Sequence, residues 1–119
     1  QSFEHLQNIR LSEKQLDDIL AQVILTDANL KQYQENGINA KDISSVGRNQ
    51  FNKVMEVIHC GVGQDIVERG TGLWAINGLT TYFQNEKNYR NEEVKMDSIL
   101  QGHAAHKLQK AYDMLAMAV

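Results

Sequence analysis

The chain has no proline, one cysteine and one tryptophan in 119 residues. Proline makes up about 5% of average sequences, breaks helix interiors and punctuates loops. Its absence favours long helices with short connections. A single cysteine excludes an internal disulfide. With His59 and Gly61 as its neighbours, Cys60 fits a reducing, cytoplasmic setting. No apolar run approaches the roughly 18 residues a membrane span needs, so no membrane partner is expected. The amino terminus lacks the basic-then-apolar pattern of a signal peptide. Basic residues are also in deficit, 12 Lys and Arg against 15 Asp and Glu, for a net charge of −3. That balance argues against a surface dedicated to coating nucleic acid, while leaving room for a local basic patch.

Alternating apolar and polar residues are scarce too, and only residues 3–9 hint at period two. Phe3, Leu6 and Ile9 also recur every three residues, so that segment suits a short helix equally well. The remainder is ordinary for a globular protein, with 42% hydrophobic and 23% charged residues. A domain of this length buries enough surface to hold a core without a staple. The chain starts at Gln1 rather than Met. The expectation is one helical domain over residues 1–119, the C-terminal fragment of a longer protein.

Helix signals are plain. Ser12 followed by Gln15 is a capping box, in which hydroxyl and amide side chain each satisfy the other residue's backbone N–H. Leu16, Ile19, Leu20, Val23 and Ile24 continue as one stripe to Leu30, and Asn36-Gly37 ends it. One helix is therefore predicted from Ser12 to Asn36. Asp42 or Ser44 caps the next, whose inner face reads Ile43, Val46, Gln50, Phe51, Val54, Val57 and Ile58. Gly61 and Gly63 stop it. Thr71 caps a third helix running to about Asn85. Asn91, with Glu92 and Glu93 behind it, marks another start. Gly102 divides a short helix from a long one carrying Ala104, Leu108, Ala111, Tyr112 and Leu115. The predicted fold is all-α, an irregular or orthogonal bundle of four to five helices. The predicted core is Leu16, Ile19, Leu20, Val23, Phe51, Val54, Ile58, Leu73, Ile76, Leu79, Phe83, Leu100, Leu108 and Leu115.

Residues 70–115 carry an ordered pattern. Gly70-Thr71 precedes Trp74, then come Asn77, Thr80 and Tyr82 as Asn-x-x-Thr-x-Tyr. Arg90 follows in a charged loop, then Ser98 and Gly102 as Ser-x-x-x-Gly, then Lys107, Lys110 and Ala111 in a final helix. This segment resembles the C-terminal part of the phage- and plasmid-like proteins grouped as domain of unknown function family 932. Trp74 stands one residue later than the family's Trp when Asn77, Thr80 and Tyr82 are aligned, a rotation of about 100° on a helix. The resemblance implies a longer protein of bacterial mobile elements, often beside replication, recombination or anti-restriction genes. It implies no particular activity.

Four constellations compete with structural roles. Arg69, Lys87 and Arg90 would hold phosphate if they converged, with Trp74 or Tyr82 stacking a base beside Asn77 and Thr80. Glu68, Glu86, Glu92, Glu93 and Asp97 interleave with these cations, which is the pattern of a solvated, salt-bridged face. On the structural alternative, Trp74 anchors the core while Asn77 and Thr80 bond a loop carbonyl and fix helix packing. His103 and His106, three apart on one helix face, would need one or two further ligands to hold zinc or iron. Alternatively they are surface histidines. Cys60 reads as a small buried thiol near a helix end rather than a nucleophile. Gly61, Gly63, Gly70 and Gly72 have no Gly-Lys-Ser/Thr after them and no strand before them, so they turn the chain rather than cradle phosphate. The sequence calls for no cofactor. The expected role is a non-catalytic domain for assembly or for binding its own absent N-terminal region or another protein. The alternatives are a DNA-binding module and a metal-dependent activity on His103 and His106.

Overall fold

The computed structural model describes residues 3–86 and 102–117. Within them are six α-helices: α1 (Phe3–Gln7), α2 (Glu13–Ile24), α3 (Asp27–Asn36), α4 (Ser45–Cys60), α5 (Gly72–Thr81) and α6 (His103–Met117). A 3₁₀ turn, Gln64–Ile66, lies in the connector after α4, and a π-helical turn, Tyr82–Glu86, extends α5. The predicted all-α class is what the protein adopts.

Local side-chain chemistry sets the helix starts. Ser12 accepts from the Gln15 amide at 3.1 Å while Gln15 accepts from the Ser12 amide at 2.9 Å, completing the capping box. Ser44, not Asp42, caps α4 by accepting from the Gly47 amide at 3.0 Å. Thr71 caps α5, accepting from the Trp74 amide at 3.2 Å and donating to the Glu68 carbonyl at 2.8 Å.

The predicted single helix from Ser12 to Asn36 is instead two. Leu25 and Thr26 are both extended, and the Thr26 hydroxyl accepts from the Asn29 amide. The break turns Leu25 into the core. It also brings the buried Asn29 amide against Ser44, donating to its hydroxyl at 3.1 Å and accepting from its backbone N–H at 3.2 Å. Thr26-Asp27 is itself an N-terminal signature, hidden inside an unbroken apolar stripe.

Helix α5 is the central beam. It packs on α4, α1 and α6, while α2 packs on α6, α4 and α3. Gly78 makes the α4–α5 approach possible, because a Cβ there would lie 2.6 Å from the Cα of Ile58. Beyond Thr81 the wider π-turn lets two consecutive rings, Tyr82 and Phe83, both enter the core, edge to face at 5.3 Å. Lys110 of α6 donates to the Gln22 carbonyl at the end of α2, at 2.9 Å, satisfying a carbonyl with no intrahelical partner. An isolated antiparallel bridge pairs Arg10 with Thr71 and ties the chain after α1 to the start of α5.

Of the predicted core, Leu16, Ile19, Leu20, Val23, Phe51, Val54, Ile58, Leu79, Phe83 and Leu115 are buried. Leu73, Ile76 and Leu108 lie at its margin, and Leu100 lies outside the described residues. Leu6, Ile9, Leu25 and Trp74 join the core. Val46, predicted on the inner face of α4, is 78% exposed: at that end of α4 it is Gly47, beside Asn29, and Arg48, bonded to the Ile38 and Ala40 carbonyls, that face the preceding segments. Among the described residues no helix is long and apolar enough to cross a membrane.

Candidate functional site

The connector between α4 and α5, residues 61–71, carries two of the exposed large hydrophobic side chains among the described residues. It turns at Gly63, whose φ of +86° is a conformation that disfavours any side chain. The turn drives Gln64 inward, where it is 3% exposed. Its amide donates to the Ile58 carbonyl at 2.7 Å and to the Trp74 carbonyl at 2.8 Å, and its oxygen accepts from the Asn77 side chain at 2.6 Å. One buried side chain thus ties the end of α4, the start of α5 and the connector together, with every polar atom satisfied.

The connector's outer side is different. Val62 is 90% exposed and Ile66 84% exposed. Cys60, at the end of α4, is exposed as well, which corrects the expectation of a buried thiol: as the helix's last residue it lies off the face that carries Val57 and Ile58. Grooves flank this ridge. One, of about 680 Å³, runs past His59, Val62, Asp65, Glu68, Arg69 and Trp74. The other, of about 320 Å³, is lined by Gln7, Ile66, Val67, Thr71 and Leu73. Arg10 pairs with Glu68 at 3.1 Å across the ridge, both side chains largely exposed.

Of the predicted phosphate and stacking residues, Arg69, Trp74, Asn77, Thr80 and Tyr82 are among the described residues. Trp74 is 3% exposed, with the His59 ring edge-on at 5.1 Å and the Arg69 guanidinium over its ring at 5.6 Å. Tyr82 is buried against Phe83, so neither ring offers a free face for a base. Asn77 bonds Gln64, a connector side chain rather than a backbone carbonyl. Thr80 bonds back to Ile76 of its own helix at 2.8 Å instead of reaching a loop, which corrects the expected role. Arg69 stays at the connector; Lys87 and Arg90 lie outside the described residues. His103 and His106 stand exposed on the first turn of α6, and among the described residues no group of three His, Cys, Asp and Glu converges.

A third groove, of about 500 Å³, lies between α2 and α3 beside Lys14, Asp17, Asp18 and Tyr33. Tyr33 donates to Asp18 at 3.1 Å. Burial and that bond push its phenol up to about 12. Burial, then Glu13 and Asp18, raise Asp17 above the ordinary carboxyl value, against the pull of His59 and Lys14.

Sequence reasoning missed Gln64, Val62 and Ile66. Gln64 carries no signal, since its partners lie up to 13 residues away. Val62 and Ile66 do carry one: they are branched apolar residues in a glycine-bounded turn that extend no helical stripe. No family model, no curated protein and no solved structure matches this chain.

Proposed function

We propose that this chain is a non-catalytic helical domain that serves assembly or partner binding in a protein of phage or plasmid origin. One observation supports the binding role: Val62 and Ile66 project into solvent from a connector held from beneath by the three hydrogen bonds of Gln64. Apolar side chains in water favour burial, by about 25 cal/mol per Å². A segment already held in place loses little freedom when it binds. The origin is supported by the resemblance of residues 70–115 to family 932.

The test is a photo-crosslinking amino acid at position 66 of the protein in its host cell, with Ala28, exposed on α3, as the comparison position. The expected result is a protein adduct at 66 that survives nuclease and is absent at 28. Equal labelling at both positions, or an adduct to nucleic acid alone, overturns the proposal.

A further inference from the structure

We propose that Asn36, at the carboxyl end of α3, is a site of spontaneous modification, where the side-chain amide is lost and aspartate or isoaspartate forms. The chemistry belongs to the Asn-Gly pair. The Gly37 backbone nitrogen gives its proton to water and attacks Cγ of Asn36. A C–N bond forms, the bond from Cγ to Nδ2 breaks, and ammonia leaves with the proton returned from water. The product is a cyclic imide. Water then opens the ring at either carbonyl, giving aspartate or isoaspartate. The sum is one water consumed and one ammonia released.

The chain holds two such pairs, Asn36-Gly37 and Asn77-Gly78, and the fold treats them oppositely. Ring closure needs the glycine nitrogen unbonded and the asparagine backbone turned out of the helical range. Asn36 is exposed and is the last residue of α3. The Gly37 N–H donates to the Tyr33 carbonyl at 2.8 Å, and this bond closes the helix, where opening costs least. The Asn36 amide donates to the Gln32 side chain at 3.4 Å, a long contact at an exposed position. Gly37, at φ +86°, has nothing within 4 Å of where a Cβ would stand, so that side of the peptide is open. Asn77 is locked by comparison. It lies inside α5 and donates to Gln64 at 2.6 Å. Gly78 is buried, with the Ile58 Cα 2.6 Å from where a Cβ would lie. Turning that backbone means separating α4 from α5, which is an opening of the core. At Asn36 either product places a carboxylate where the helix dipole disfavours negative charge. Isoaspartate also adds a main-chain carbon just before the Ile38 and Ala40 carbonyls that Arg48 holds.

The test keeps the purified protein in mildly alkaline buffer made with water enriched in the heavy oxygen isotope. The isotope labels only positions hydrolysed during the incubation, and fragmenting mass spectrometry of the digested peptides locates it. Position 36 is expected to convert at least about tenfold faster than position 77, the scale of a barrier lower by about 1.4 kcal/mol. In urea, with the fold gone, the two positions are expected to convert at similar rates. Circular dichroism confirms that the folded sample stays folded throughout. An Asn36 that stays intact while the unfolded chain converts, or positions 36 and 77 converting alike in the folded protein, overturns the proposal.

Discussion

The Asn77 side chain donates to the side-chain oxygen of Gln64 at 2.6 Å, across 13 residues, joining the beam of the fold to the connector that precedes it. The same Gln64 amide spends its two protons on the Ile58 and Trp74 carbonyls. Since Gln64 is buried, none of these bonds has water as a substitute.

Truncating Gln64 therefore strands buried polar groups. Gln64→Ala is expected to destabilise the fold by about 2–4 kcal/mol, and Asn77→Ala by about 1–2 kcal/mol. The double variant should lose less than the sum, because the two changes share one bond. Urea midpoints check this, and additive losses would show that the two amides act independently.

Gly78→Ala opposes two effects. Alanine is the better helix former by about 1 kcal/mol. Its Cβ, however, would lie 2.6 Å from the Ile58 Cα and 2.9 Å from the Gln64 amide nitrogen. The collision with backbone dominates, and a net loss of about 1–3 kcal/mol is expected in thermal or urea unfolding. A more stable variant would show that α4 and α5 do not approach so closely.

Arg48 closes the segment between α3 and α4. Its guanidinium donates to the carbonyls of Ile38 at 3.1 Å, Ala40 at 2.6 Å and Ile43 at 3.3 Å. Arg48→Ala should cost about 1.5–3 kcal/mol and speed amide exchange in residues 37–44. Arg48→Lys should restore less than half, since an ammonium cannot reproduce the planar fork. Full rescue by lysine would reduce the role of Arg48 to its charge.

Asp17 predicts a pH dependence of defined sign. Its carboxyl titrates above the ordinary value of 3.8 in the folded protein, chiefly through burial. The folded state thus holds this proton more tightly than the unfolded state. The resulting stability is complete below 3.8 and is lost as pH rises through the folded value. Asp17→Asn removes that slope and should raise neutral-pH stability relative to wild type. Unfolding curves collected from pH 3 to 7 measure it, and a variant whose profile parallels the wild type would remove Asp17 as the source.

The capping residues Ser12 and Thr71, the stop at Asn36-Gly37 and the inner stripe of α2 are all legible in the sequence, as is the all-α class. Each is a contact within about four residues along the chain, so neighbouring letters suffice. The candidate site was less legible. The sequence marks Trp74, Asn77, Thr80 and Tyr82 as one group, but not what Trp74 and Asn77 face, because Gln64 reaches them only after the Gly63 turn.

By itself the sequence determined where helices begin and which faces are apolar, because caps and stripes are local chemistry. Tertiary structure decided the rest. It broke the long helix at Thr26 so that Asn29 could reach Ser44, left Val46 on the face of α4 that meets no other described segment, and turned both Tyr82 and Phe83 inward through a π-turn. It also buried Gln64 and lifted Val62 and Ile66 into water. Those outcomes depend on which helix lies opposite, and only the competition of all segments for one shared interior settles that.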